Sequence, residues 1–245
     1  MGKLLETVCL FGDSLTQGAW ELNGLGARMA HVYARRFDVL NRGFSGYNTE
    51  WALPLLAEVL PPSPPRLLTI WFGANDACIL PSPQHVPLSR FKENLRAMIH
   101  AAPDSTRVLL LSPPPVNTHQ RAADLASRTP PKELDRLFDV TKSYAEAVKV
   151  VATEENVPIA DVWTAVWDAA GRDEAALSAF LYDGLHLNEA GYKVTYDVVA
   201  DAIAAKWPEL RLEHSWRNYK YPTWDWFIDH KPGDTDGWEE HTRRP

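Results

Sequence analysis

The sequence predicts an α/β fold: a five-stranded parallel sheet between helical layers, followed by an aromatic-rich C-terminal extension. Two observations predict it. Short β-rich runs alternate with longer stretches of helical period, as in repeated strand–helix–strand units. The candidate strands are also nearly continuous apolar runs, the pattern of strands covered on both faces. At 245 residues, 45% hydrophobic and 23% charged, the chain is long enough for a sizeable core. We expect one domain over residues 1–207 and an extension over 208–245.

The elements follow in order. In "VCLFGDSLTQG" (8–18), Val8 to Phe11 read as a buried strand within 7–11, and Gly12 frees the backbone to turn. Asp13, Ser14 and Thr16 are ordinary helix-starting residues. A helix is expected over 27–36, a strand over 38–41 and a helix over 49–60. "PPSPP" (61–65) is a stiff connection into a third strand, 67–72. A helix over 88–101 and a strand over 107–112 come next. Residues 112–132 form a long connection suited to a pocket wall. Leu134, Leu137, Phe138, Ala145, Val148, Val151 and Ala152 fall on one stripe of a helix over 132–156. A strand over 157–161 follows. The last helix starts at Asn188, a good N-cap followed by Glu189, and runs through Tyr192, Tyr196, Val199, Ile203 and Trp207 until Pro208. The tail holds Trp216, Tyr219, Tyr221, Trp224, Trp226, Phe227 and Trp238, too aromatic for a disordered segment. It is expected to pack on the domain, over the mouth of a site, or against a second subunit in a homo-oligomer.

Charge and composition exclude some functions. A net charge of −7 without clustered Lys and Arg argues against a nucleic-acid surface. The first apolar run is too short to span a bilayer and lacks the length of a secretory h-region, so no membrane span and a cytoplasmic location are expected. Cys9 and Cys78 lack metal-ligand spacing and read as free thiols, Cys9 as a small core residue.

Polar residues gather where such a sheet binds ligands, at the carboxyl ends of its strands. Gly12-Asp13-Ser14 follows the first strand, Asn41-Arg42-Gly43 the second, and Gly73-Ala74-Asn75-Asp76 the third. Asp183 and His186, three apart in "YDGLHLN" (182–188), can pair, leaving one imidazole nitrogen free to accept a proton. A serine hydroxyl needs such a base to act as a nucleophile. Ser14 would also feel the N-terminal dipole of its helix. The Ser14 and Gly43 N–H groups and the Asn75 amide can supply an oxyanion hole, Gly43 having no Cβ to obstruct substrate. Ser45 is the rival serine, without an acid–base pair nearby in sequence. Asp13 and Asp76 are expected to hold turns rather than to serve as the triad acid, and Asn75 also suits a plain turn.

"FGDSLTQG", "NRGFSGYNT", "WFGANDA" and "DGLHLN" resemble, in order, the four sequence blocks of the SGNH or GDSL-type hydrolases, over roughly residues 8–207. The resemblance implies a flavodoxin-like three-layer α/β/α sandwich. It also implies Ser14 as nucleophile and oxyanion donor, Gly43 and Asn75 as further donors, His186 as base and Asp183 as its orienting acid. "SGYNTEWAL", "IWFGANDA", "QHVPLSRFKENL" and "LLLSPPPV" are similar to the isoamyl acetate-hydrolysing esterase branch, which implies short-chain acyl esters, acetates especially. The expectation is a serine esterase acting on a small-molecule ester without cofactor or metal, and not by the G-x-S-x-G arrangement. An acyltransferase or deacetylase would use the same site. Two rivals are a metal-dependent phosphoesterase with Asp13, Asn75, Asp76, Asp183 and His186 as ligands, and a non-catalytic binding protein on the same fold. Trp20, Phe44, Trp71 and the 112–132 connection are the candidate pocket walls.

Overall fold

The computed structural model describes residues 5–213, 219–230 and 237. Along the chain, β1 (Glu6–Gly12) leads into a one-turn helix α1 (Ser14–Gln17), then α2 (Leu25–Val32) and β2 (Phe37–Gly43). The short helices α3 (Thr49–Ala52) and α4 (Leu56–Val59) precede β3 (Leu67–Trp71), and α5 (Leu88–Ala101) precedes β4 (Arg107–Leu111). After α6 (Thr118–Ser127) and α7 (Phe138–Glu154) come β5 (Ile159–Ala160), α8 (Val162–Ala169) and α9 (Glu189–Lys206).

The strands pair in the order β2-β1-β3-β4-β5, all parallel. This is the flavodoxin-like order, with its switch point beside β1. Gly12 pairs with Gly43 on one side and Trp71 on the other, so three strands end at one level and deliver their turns to one crevice. Strand side chains alternate between two cores. Val8, Leu10, Leu67 and Leu109 pack with Leu25 and Met29 of α2, Val162 of α8 and Val199 and Ile203 of α9. Cys9, Phe11, Leu68, Ile70 and Leu110 face Phe91 and Leu95 of α5 and Val148 and Val151 of α7. Both cysteines are buried and unpaired.

Several expected bounds move, each for a local reason. The helix expected over 49–60 is broken by a 3-10 turn at Leu53–Leu55, where Pro54 offers no N–H. The helix expected over 27–36 begins at Leu25 and ends at Val32, and Arg35 takes a φ of +66°. The helix expected from 132 begins at Phe138. Residues just before it are not helical, and Arg136 turns its side chain inward to the Ala74 carbonyl instead. The connection expected over 112–132 contains α6, whose N-cap Asn117 accepts from the Gln120 N–H at 3.0 Å. Neither α6 nor α8 was expected from periodicity. α9 is capped by Asn188, whose Oδ1 accepts from the Gly191 N–H.

Beyond α9 the chain returns along the amino end of β2. Leu210 is buried, and its carbonyl accepts from the Tyr33 hydroxyl. The Arg36 guanidinium donates to the Glu209, Arg211 and Glu213 carbonyls, and Arg35 donates to the Tyr221 and Pro222 carbonyls. Trp226 is buried with His230 stacked on it. Arg35 and Arg36 precede β2, so these contacts lie at the end of that strand opposite Gly43. Trp216 and Trp238 lie outside the described residues. Among the described residues no helix is long and apolar enough to cross a membrane.

Candidate active site

The first strand-to-helix turn sets Ser14. A Cβ on Gly12 would lie 2.1 Å from Thr16 Oγ1 and 2.5 Å from the Trp71 carbonyl, so only glycine lets the turn fold this tightly against β3. Asp13 caps α1, its Oδ1 accepting from the Leu15 N–H at 2.9 Å, in the turn-holding role expected of it. Tyr192 of α9 donates to the Leu15 carbonyl and pins the turn from the other side. With only four residues, α1 contributes little dipole at Ser14.

The candidate base arrives from the turn before α9. His186 Nε2 stands 3.0 Å from Ser14 Oγ and Nδ1 stands 2.9 Å from Asp183 Oδ2. With the Nδ1 proton donated to the carboxylate, Nε2 accepts from the serine hydroxyl. Asp183 Oδ1 accepts from the backbone N–H groups of Leu185 and His186. Burial alone would raise the Asp183 pKa, but the hydrogen bonds from the His186 ring, the His186 N–H and the Leu185 N–H outweigh it and hold the carboxyl well below the usual range. Gly184, at φ +80°, lets the turn rest on the start of α6, where a Cβ would meet the Arg121 backbone nitrogen at 2.4 Å. The Tyr182 ring, 58% exposed, stacks on the His186 ring.

Asn75 is buried, and its amide is oriented by its neighbours. Its Oδ1 accepts from Arg136 Nη2 at 2.6 Å and Gln84 Nε2 at 3.2 Å, while Nδ2 donates to the Tyr47 carbonyl at 2.8 Å. One amide proton remains for a ligand.

Gly43 requires a correction. Its N–H already donates to Asn41 Oδ1 at 2.9 Å, and a Cβ there would lie 2.0 Å from the Gln17 backbone nitrogen. Gly43 is therefore a close-packing position between β2 and α1, not a free donor. In the same loop Phe44 donates to the Gly12 carbonyl, Ser45 to Gln17 Oε1 and Tyr47 to the Phe44 carbonyl. Gly46 is left as the residue of 43–47 whose N–H has no acceptor among the described residues. It has a φ of +83°, and Gln84 ties its carbonyl to Asn75.

The other candidates separate. Asp76 Oδ1 accepts from the Thr49 N–H and hydroxyl, tying α3 to the third turn. Burial pushes the carboxyls of Asp13 and Asp76 up to about 7 and about 6, hydrogen bonds from Leu15 and Thr49 opposing it. Among the described residues no three His, Cys, Asp or Glu side chains gather as metal ligands. A pocket of about 490 Å³ opens over Ser14 and His186, with Trp20, Glu21, Ser45 and Tyr182 in its walls. Trp71 is instead core, its indole N–H donating to the Ser112 carbonyl, and Phe44 packs on Phe11 and Tyr47. From the 112–132 connection, Arg121 donates to Asp183 Oδ2, so α6 buttresses the acid. Sequence reasoning missed Gly46, Gln84, Arg121, Asp135 and Arg136. Asp135 and Arg136 are neighbours, but the partners that tie each of these residues to the site lie far away in sequence, and only the second glycine of "GFSGY" carried a local signal.

The sequence profile of the GDSL-like Lipase/Acylhydrolase family matches residues 10–194. An isoamyl acetate-hydrolyzing esterase 1 homolog of Bos taurus is 34% identical, covering 92% of this chain and 89% of its own length. The isoamyl acetate-hydrolyzing esterase of Saccharomyces cerevisiae is 32% identical, covering 90% of this chain and 94% of its own length. Among solved structures, a lipase/acylhydrolase from Enterococcus faecalis superposes with a TM-score of 0.65 at 26% identity, over 82% of this chain and 97% of its own. The acetylxylan esterase Axe2 of Geobacillus stearothermophilus shares the fold, with a TM-score of 0.64 at 20% identity over 82% of this chain and 95% of its own.

Proposed function

This chain belongs to the GDSL-like lipase/acylhydrolase family and is a carboxylic ester hydrolase, and from that premise we propose that it is a serine esterase of short-chain acyl esters, acetates first, working through an acyl-enzyme on Ser14. The observation that carries the reading is the unbroken line from Ser14 Oγ through both ring nitrogens of His186 to Asp183 Oδ2. Ser14 Oγ attacks the ester carbonyl while His186 Nε2 takes its proton. Asp183, held ionised, stabilises the imidazolium that forms. The oxyanion meets the Ser14 N–H, the Gly46 N–H and the remaining proton of the Asn75 amide. His186 then protonates the departing alcohol. Afterwards it activates a water that releases the acid and restores the serine. Relatives named for isoamyl acetate hydrolysis support the acetate preference.

Hydrolysis of p-nitrophenyl esters from acetate to decanoate tests this reading, with and without chelator, beside Ser14→Ala. Removing the nucleophile is expected to lower kcat by about 10⁴-fold or more. The wild type should ignore the chelator and favour acetate. Chelator-sensitive activity that survives Ser14→Ala would overturn the serine mechanism, and a preference for decanoate would overturn the short-chain assignment.

A further inference from the structure

Asn75 and Asp183 lie on opposite sides of Ser14 in the scheme above, one at the oxyanion and one behind the base, and they are physically joined. Arg136 Nη2 donates to Asn75 Oδ1 at 2.6 Å, and Arg136 Nη1 to Asp135 Oδ2 at 2.5 Å. Asp135 in turn takes both prongs of Arg121, from Nε to Oδ1 and from Nη2 to Oδ2, each at 3.0 Å. Arg121 Nη1 completes the line at Asp183 Oδ2, 2.9 Å away. We propose that Arg136, Asp135 and Arg121 are positioning residues of the esterase reaction, a single chain of charged hydrogen bonds, buried at both arginines and partly exposed at Asp135, that holds the oxyanion amide and the triad carboxylate in fixed relation. The proposal rests on the serine-esterase reading of the site.

Three features favour positioning over stability alone. First, Arg136 and Arg121 are only 3% and 4% exposed, and the cost of taking their charges out of water offsets much of what their ion pairs contribute to stability. Their ends nevertheless fall on the two side chains whose orientation the chemistry needs. Second, an Asn amide has two ends of nearly equal shape, and donors choose between them. The guanidinium and Gln84 place N–H groups against Oδ1, so a flipped Asn75 would set its own N–H groups against donors. The amide protons are thereby held toward the loop of Gly46. Third, Asp183 Oδ1 is filled by two backbone N–H groups, and Arg121 shares Oδ2 with His186, leaving the carboxylate no direction in which to rotate.

The chain alternates in sign from Arg136 to Asp183 and is neutral as a whole. A side branch reaches the surface: Arg121 Nη1 lies 3.6 Å from Asp124, which pairs with Arg128, and Arg128 lies 3.8 Å from Asp183. Burial works against the charge on Asp135, but the two arginines overcome it and lower its pKa. Arg136 also donates to the Ala74 carbonyl at 2.8 Å, which anchors the fork to the turn carrying Asn75.

Asp135→Asn, Arg136→Lys and Arg121→Lys test the proposal in the full chain. The readouts are kcat and KM for p-nitrophenyl acetate, the rate of Ser14 labelling by a fluorophosphonate, and the thermal midpoint. Asp135→Asn breaks the middle of the line and is expected to lower kcat and the labelling rate by about 10²-fold with KM little changed, as misplacement of reacting groups does. Arg136→Lys keeps the charge but loses the planar fork, and should lower kcat about 10-fold. In an Asn75→Ala background it should change kcat no further, because the group it positions is gone. If Asp135→Asn does not fold, the two lysine variants and that background decide. Wild-type kcat and labelling rates per folded molecule, with only a lower midpoint, would overturn the proposal. So would an undiminished effect of Arg136→Lys in Asn75→Ala. A wild type that fluorophosphonate does not label at Ser14, with activity retained in Ser14→Ala, would instead mark failure of the serine reading itself.

Discussion

Two glycines in one loop do different work. Gly43 is glycine because Gln17 backbone occupies the space of a Cβ, whereas Gly46 has room for one, its nearest neighbour being Gln84 Nε2 at 3.6 Å, but holds a left-handed backbone. Gly43→Ala is therefore expected to act on stability, lowering the unfolding free energy by about 3 kcal/mol in urea titration, in the manner of an overpacked core position. On the proposed mechanism, Asn75→Ala is expected to act on the chemistry instead. With one oxyanion donor removed, kcat for p-nitrophenyl acetate should fall by about 10²–10³-fold while KM stays nearly constant. A large rise in KM at unchanged kcat would mean that Asn75 binds the ground state.

Among the elements, α6 matters most to the site although it contributes no lining group to the pocket over Ser14. Its N-cap Asn117 donates its backbone N–H to the Gly184 carbonyl, its Gln120 side chain donates to the Leu181 carbonyl, and its Arg121 reaches Asp183. The helix thus supports the whole turn that carries Asp183 and His186. Removing its cap by Asn117→Ala should cost about 1 kcal/mol of stability in urea titration. It should also lower kcat more than cap removal at Asp161, which serves α8. Equal effects of the two substitutions on kcat would show that α6 does not support the turn. By comparison α1 is a single turn, and the placement of Ser14 depends on its cap, on Gly12 and on Tyr192 rather than on helix length.

Across the whole molecule, buried carboxyls shape the response to pH in opposite directions. Asp13 and Asp76 titrate near 7 and near 6 in the folded protein, above the value of about 4 for an unfolded Asp. Between about pH 4 and 7 the folded state therefore holds protons that the unfolded state has released, and stability falls as pH rises through that window. Asp183, depressed in the folded state, stabilises above the unfolded value and loses that contribution as pH falls below it. Urea midpoints should accordingly be higher at pH 5 than at pH 8, and Asp13→Asn should flatten the decline. An unchanged slope in Asp13→Asn would exclude that carboxyl as a source. Of the extension, the described residues around 209–213 and 220–222 contact the fold at the far end of β2. Truncation after Trp207 removes buried Leu210 and the carbonyl acceptors of Arg36, and should lower the unfolding free energy by about 3 kcal/mol or more. The kcat/KM of the remaining folded enzyme should not change, because these contacts lie away from Ser14; a fall in it would place part of the tail at the site.

Features set by neighbours in sequence were legible from the sequence. The apolar runs of the strands, the expected helix over 88–101 that stands as α5, the Asn188 cap and the three-residue spacing of Asp183 and His186 all depend on periodicity or on groups a turn apart. The convergence of the Ser14 and Asn75 turns was reachable because parallel strands end at one edge, whereas the joining of Ser14 to His186, 172 residues away and beyond α8, came with the four-block resemblance. What only the tertiary structure decided is which donor meets which acceptor between distant segments. Gly43 and Gly46 are the same residue three positions apart, and their surroundings diverge because Asn41 takes up one N–H and no described residue takes up the other. Arg121 and Arg136 read as ordinary charges, one in a loop and one at a helix start, until folding brings them to Asp183 and Asn75, 62 and 61 residues away. A guanidinium takes its meaning from what surrounds it, and in a packed interior those surroundings are assembled from every part of the chain.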